Sequence, residues 1–241
     1  MSTTLPRLPH SAVLLCGGSG RRMQGVVVDK VLAPLQGKTV FDFSVAAFLQ
    51  ATAVSKLVIV YRDQEQRDRL QARLSGHALD GMALGWTTGG AERSDSVHRG
   101  LEALGDADGL VFIHDCARPL ITPALLQSLA GVAEREGAAV AASRVTDTIK
   151  RAPGANPDGA IHLADLDRTL LWAMQTPQVF QLRAIREAYR HVVSNGLKIT
   201  DDVAAAELAG IPVALVENPS PNPKVTRPED IDWLQWLLSK P

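Results

Sequence analysis

Short, almost wholly apolar runs recur along the chain at 11–16 (SAVLLC), 56–61 (KLVIVY), 109–114 (GLVFIH), 138–143 (AAVAAS) and 212–217 (PVALVE). Runs of this length without polar alternation are how strands buried on both faces of a parallel sheet read. Between them, apolar positions fall at helical spacing over 40–51, 64–75, 94–104, 123–136, 182–195 and 201–209. Strand and helix in alternation predict an α/β three-layer sandwich with a mainly parallel sheet and right-handed crossovers. Such sheets bind ligands beyond the carboxyl ends of their strands.

One stretch breaks the rhythm. Residues 145–171 carry Pro153, Pro157 and glycines between short runs that can pair as a hairpin. A structureless loop of that length is unusual inside a compact domain, so the segment predicts a projecting β-arm that packs on a second subunit. The whole chain, 1–241, then reads as one domain with this arm as its excursion. The tail, 229–238, has Trp233, Trp236, Leu237 and Leu238 at helical spacing and predicts a closing helix that packs on the core.

Composition narrows the class. A chain of 241 residues buries an ordinary core without a disulfide or zinc staple. Twenty-five Lys and Arg against 26 Asp and Glu leave a formal net charge of −1, which removes the electrostatic case for a nucleic-acid or membrane-surface binder. An anionic ligand must therefore meet a local basic cluster. Cys16 and Cys116 form neither a disulfide framework nor a metal-ligand pair by spacing, which favours a reducing compartment. No leader-like segment and no apolar run of roughly 18 residues is visible, so the expectation is cytoplasmic.

Candidate chemistry gathers after the strands. The first run passes into Cys16-Gly17-Gly18-Ser19-Gly20-Arg21-Arg22. Glycines there let a ligand approach the backbone, and a sharp turn exposes N–H groups as an anion nest. The plain alternative is a tight turn with two solvated arginines. It is not a Walker loop, since no Gly-Lys-Ser/Thr follows, and the dinucleotide fingerprint lacks both its third glycine and the acidic residue about 20 positions on. Lys30 is placed to close over the same phosphates. Asp115 ends the third apolar run, at the same sheet edge, where a carboxylate beside a basic cradle suits Mg²⁺ on a nucleotide. It would equally serve as the cap of the helix that starts near Pro123.

As an ordered set, LLCGGSGRRM, DKVLAPLQGKTV, GGAERSDSV, VFIHDCARPLIT, VTDTIKR, LWAMQTPQVF, ITDD and PKVTRPEDI resemble the 2-C-methyl-D-erythritol 4-phosphate cytidylyltransferase family over roughly residues 11–231. The resemblance implies a Rossmann-like nucleotidyltransferase domain, a homodimer through the arm, and the conversion of CTP and methylerythritol 4-phosphate to CDP-methylerythritol and pyrophosphate with Mg²⁺. It implies that Arg22 and Lys30 stabilise the α-phosphate and the leaving pyrophosphate. Cys16, Gly17, Gly18 and Gly20 would surround the triphosphate, Gly90 and Ser96 the nucleoside, and Asp115 the metal. Arg168 and Lys224 would fix the second substrate's phosphate, with Arg118, Thr148, Thr176 and Thr200 around its polyol; Thr148 and Arg168 would serve the neighbouring subunit.

The chain departs from the family's usual pattern at Cys16-Gly17, at Asp29 and at Pro223, and a carboxylate at Asp29 is expected to compete for Lys30. Two other readings stand beside this one: a cytidylyltransferase of the same architecture acting on D-ribitol 5-phosphate, and a nucleotide-binding module without turnover. The joint presence of Arg22, Lys30, Asp115, Arg168 and Lys224 speaks against the second.

Overall fold

A computed structural model describes residues 10–18, 29–51, 54–79, 81–152, 154, 159 and 161–240. The strands in chain order are β1 (His10–Leu15), β2 (Pro34–Leu35), β3 (Lys38–Thr39), β4 (Val54–Tyr61), β5 (Ala83–Thr88), β6 (Leu110–Asp115), β7 (Ala138–Arg144), β8 (Lys150–Arg151), β9 (Ala164–Asp165), β10 (Trp172–Gln181) and β11 (Ala214–Glu217). The helices are α1 (Val40–Gln50), α2 (Gln64–Leu74), α3 (Arg93–Glu102), α4 (Pro123–Glu136), α5 (Leu182–Ser194), α6 (Asp202–Leu208) and α7 (Glu229–Ser239).

Seven strands form one sheet in the order β11-β7-β10-β6-β1-β4-β5. All neighbours run parallel except β10, which is antiparallel to both β6 and β7. Four of the five apolar runs are the inner strands β1, β4, β6 and β7, each contributing side chains to both faces, and the fifth is edge strand β11. Val13, Val58 and Ile113 pack under α3, α5 and α6, while Leu14, Leu57, Ile59 and Phe112 pack under α1, α2 and α4. On the first face a Cβ at Gly100 of α3 would lie 2.4 Å from Val13 Cγ1, so only glycine lets that helix reach the sheet.

Two strands escaped the sequence pattern for different reasons. Edge strand β5 is half-exposed along its length, so it has no apolar run to read. In β10 the buried positions include Gln175, Thr176 and Gln178, whose polar groups pair with Asn218, with His114 and Asp115 of β6, and with Asp201 respectively. Helix boundaries follow their caps. Thr122 accepts from Leu125 N–H ahead of Pro123 and ends the alternative in which Asp115 caps α4.

The tail corrects an expectation. Leu234 is the side chain of α7 that is fully buried, whereas Trp233 and Trp236 are 47% and 53% exposed. The 145–171 excursion carries a ladder two pairs long, Lys150 opposite Asp165 and Arg151 opposite Ala164. It leaves Ile161, Leu163 and Leu170 exposed on this single chain. Among the described residues no helix is long and apolar enough to cross a membrane.

Candidate active site

The sheet register decides what meets at the ligand edge. Leu15 of β1 lies opposite Val60 of β4 and Asp115 of β6, so the residues just beyond these strands emerge side by side. They enclose a cavity of about 360 Å³. Gly17 and Gly18 form one wall, Arg62 and the 90–93 segment another, and Lys30, Asp115 and Lys224 complete it. A Cβ on Gly18 would lie 3.2 Å from Lys30 Cε and 3.3 Å from its Nζ, so the ammonium rests against the glycine turn.

Asp115 is the acidic centre of a buried charge network. Its Oδ1 accepts from Arg93 Nε at 3.2 Å, and its Oδ2 accepts from the Lys224 ammonium. Arg93 also grips Asp202 with both terminal nitrogens at 2.8 Å, and Asp202 in turn accepts from the Tyr189 hydroxyl. Burial pushes the Asp115 carboxyl up, but Arg93 and Lys224 overcome it and hold the group well below the usual carboxylate range. The guanidinium of Arg93 is opposed by its own burial and held charged by Asp202 and Asp115. The arrangement keeps two cations at one end of the cavity with their geometry fixed, ready for a bound anion.

The family model for 2-C-methyl-D-erythritol 4-phosphate cytidylyltransferase matches residues 11–240. The chain belongs to this family. It is a nucleotidyltransferase of the cytidylyltransferase kind. Curated relatives carrying the family name include one from Symbiobacterium thermophilum, 36% identical over 97% of this chain and 94% of its own, and one from Halalkalibacterium halodurans, 36% identical over 97% and 98%. The crystal structure of the Thermus thermophilus cytidylyltransferase superposes with a TM-score of 0.72 at 27% identity, covering 95% of this chain and 98% of that one. A 4-diphosphocytidyl-2C-methyl-D-erythritol synthase from Anaerococcus prevotii superposes with a TM-score of 0.82 at 22% identity over 97% and 99%, a likeness of fold.

In this cytidylyltransferase the sequence-predicted site residues fall into three groups. Gly17, Gly18, Lys30, Gly90, Ser96, Asp115 and Lys224 line the one cavity. Gly20 and Arg22 lie outside the described residues. The rest stand back from the cavity or away from it. Cys16 is 1% exposed, its thiol pushed up by burial and by its hydrogen bond to Cys116, and its N–H and C=O are paired with Val60 O and Gln66, so it supports the glycine turn from behind the cavity. Thr176 is 5% exposed; its hydroxyl accepts from Asp115 N–H at 3.1 Å and meets His114 Nδ1 at 3.1 Å, so here it fixes Asp115 from behind. Arg118 donates to Asn222 O at 2.7 Å and ties the Lys224 loop to the sheet edge. Thr200 lines a second cavity that shares Glu92 and Arg93 with the first. Thr148 and Arg168 are exposed on the arm, where Arg168 donates to Thr146 O at 2.8 Å.

Two details of the local geometry have no sequence signature. The Gly90 N–H donates to Ser96 Oγ at 3.0 Å, and a Cβ at Gly90 would lie 2.2 Å from that of Asp95. Gly90 and Ser96 thus shape the turn into α3. The Asp29 carboxylate accepts from Val31 N–H, Gln66 and Arg62. Arg93, Asp202 and Arg62 were not singled out by sequence. Arg93 lay inside GGAERSDSV and Asp202 inside ITDD, but a pairing across 109 residues has no local signature.

As a metal ligand, Asp115 stands alone. Among the described residues no group of three His, Cys, Asp or Glu gathers to hold an ion, and both oxygens of Asp115 already bear cations. This donor set fits a cation carried chiefly by phosphate oxygens, with one carboxylate at hand, and does not make a protein cage.

Behind Asp115, His114 is fully buried, and burial pushes its pKa down to about 3. Its imidazole stays neutral in the folded chain, while the unfolded chain takes up a proton near 6.5. The unfolded state therefore binds more protons between these values, and acid removes stability as pH falls through that window. The slope from this one group approaches about 1.4 kcal/mol per pH unit. Denaturant midpoints at about pH 7 and pH 5 should converge in His114→Gln; an unchanged difference would show that the histidine is not the cause.

Proposed function

We propose that this site transfers the cytidylyl group of CTP to 2-C-methyl-D-erythritol 4-phosphate in isoprenoid precursor synthesis by the non-mevalonate route. An oxygen of the polyol phosphate bonds to the α-phosphorus of CTP, the bond from that phosphorus to the bridging oxygen breaks, and pyrophosphate departs with the electron pair. The observation that carries the reading is the convergence of Lys30, Arg93 and Lys224 around one glycine-walled cavity at the sheet edge. The attacking phosphate is already anionic at neutral pH, so the reaction asks for charge and orientation rather than a strong base.

The roles follow from position. The open backbone at Gly17 and Gly18 admits the triphosphate, and the family resemblance adds Gly20, which lies outside the described residues. Lys30 lies on that turn and, with Arg22, meets the charge that grows on the leaving pyrophosphate. Lys224, oriented by Asp115, receives the polyol phosphate at the opposite end, and Arg168 of a second subunit completes its grip. Thr148 of that subunit and Thr200 bracket the polyol, while Thr176 holds Asp115 and Arg118 the loop that carries Lys224. A divalent cation, Mg²⁺ by the demands of a triphosphate, would be held by phosphate oxygens with Asp115 as the protein oxygen nearest, and would supply further neutralisation.

A homodimer formed through the arm accounts for Ile161, Leu163 and Leu170, which no contact within one chain covers to more than a partial extent. On this reading 1–241 is one domain and 145–171 its dimerisation segment. The two free, buried cysteines suit the cytoplasm.

The test is pyrophosphate release from CTP and Mg²⁺ with methylerythritol 4-phosphate and D-ribitol 5-phosphate offered separately. Release with the first is expected. Release with the second alone transfers the assignment to the ribitol enzyme, and release with neither removes it.

A further inference from the structure

The buried amide of Gln66 touches three loops of the nucleotide end at once. Its Nε2 donates to Cys16 O at 3.0 Å and to Asp29 Oδ2 at 2.6 Å, and its Oε1 accepts from Arg62 N–H at 2.6 Å. The side chain sits on the first turn of α2 and is 1% exposed, so these bonds are sheltered from water. Asp29, 3% exposed, carries the lock onward. Its Oδ1 accepts from Val31 N–H at 3.2 Å and caps the short 3₁₀ turn, Lys30–Leu32, whose first residue is Lys30; its Oδ2 also receives Arg62 Nη1 at 3.4 Å. Beyond Cys16, Gly17 stands close enough to the chain at Arg62 that an added Cβ would lie 3.3 Å from its amide nitrogen.

We propose that Gln66 and Asp29 are positioning residues for the transfer: they lock the Lys30 turn, the glycine turn and Arg62 into one rigid frame. The inference rests on the role of Lys30 given above. A buried amide with each of its groups paired holds its partners strongly, because losing it strands a carbonyl and a carboxylate away from water. The carboxylate at Asp29, foreign to the family's usual pattern, thus becomes the link between Lys30 and the sheet. Neither Gln66 nor Asp29 lines the cavity, so any effect on catalysis must pass through the residues they hold.

A double-mutant cycle on the full chain separates positioning from general support. Gln66→Met should lower kcat/KM about tenfold or more, chiefly through kcat, and the same change made in Lys30→Ala should lower it less than about twofold. Asp29→Asn keeps the acceptor for Val31 N–H and should repeat the pattern if Gln66→Met does not fold. Equal losses with and without Lys30 would make these residues structural only and overturn the proposal. Calorimetric binding of inorganic tripolyphosphate gives a readout without turnover. Affinity should fall about fivefold or more in Gln66→Met and Asp29→Asn but not in their Lys30→Ala counterparts; unchanged affinity in the single variants overturns the lock. Should wild type release no pyrophosphate with any polyol, the function assigned above fails, and tripolyphosphate binding still decides this inference.

Discussion

Lys30→Ala is expected to lower kcat by about 10²- to 10³-fold while raising the KM for CTP far less. The ammonium lies over Gly18, and both residues line the cavity proposed above to take the triphosphate. As the bond to the leaving group breaks, negative charge accumulates on the pyrophosphate side, and a fixed cation there gains more from the transition state than from bound CTP. Ground-state binding is shared with the glycine turn and the neighbouring cations, so losing one amine leaves much of it intact. Steady-state kinetics over a CTP series check this. A KM raised a hundredfold at unchanged kcat would mean that Lys30 merely holds the nucleotide.

The second large effect concerns a residue outside the cavity. Asp202 is fully buried at the start of α6, and its oxygens take two hydrogen bonds from Arg93 and one from Tyr189. Its own N–H donates to Gln178 Oε1 at 3.1 Å, which pins the start of α6 to β10. Asp202→Asn leaves the Arg93 guanidinium with Asp115 as its remaining carboxylate partner among the described residues and sets an amide N–H against it. Breaking a buried pair in this way costs about 3–5 kcal/mol, and the side chain of Arg93, 29% exposed, places the loss near the lower end. A melting temperature lower by roughly 5–10 °C follows for a chain of this size. Activity at a temperature where the variant is folded should also fall about tenfold or more, because Arg93 then no longer braces Asp115 against Lys224. Tyr189→Phe removes one hydrogen bond and should cost only about 1 kcal/mol. An Asp202→Asn protein that melts with wild type would show that Asp115 alone satisfies the arginine.

These residues show where sequence reading succeeds and where it stops. Inner strands β1, β4, β6 and β7 were visible because burial on both faces leaves runs of apolar residues, and α4 was visible to its ends because Thr122, Pro123 and Gly137 mark them. Glycine turns and end-of-strand charges were visible because chemistry at a sheet edge needs those residue types at that place. Edge strand β5 and polar β10 were hidden, since neither is written in apolar residues. Trp233 and Trp236 misled for the converse reason: an apolar stripe states what a helix has to bury, and only contacts state what it does bury. Gln66 lies in QEQRDRL, a segment that reads as a solvated helix face, and nothing local announces that its amide turns inward. Asp29 was read through its neighbour in sequence, Lys30, while its partners in space are Gln66 and Arg62. Long-range polar pairing has no period, so both networks around the cavity came only with the fold.

In the mechanism proposed for this site, charge and placement act on a direct displacement, with no protein nucleophile in the path. The most direct measurement is the stereochemical course at the α-phosphorus, using one diastereomer of the α-thio analogue of CTP with methylerythritol 4-phosphate. A single in-line displacement predicts inversion of configuration in the product. Retention would require two displacements through a cytidylylated side chain and would contradict the account.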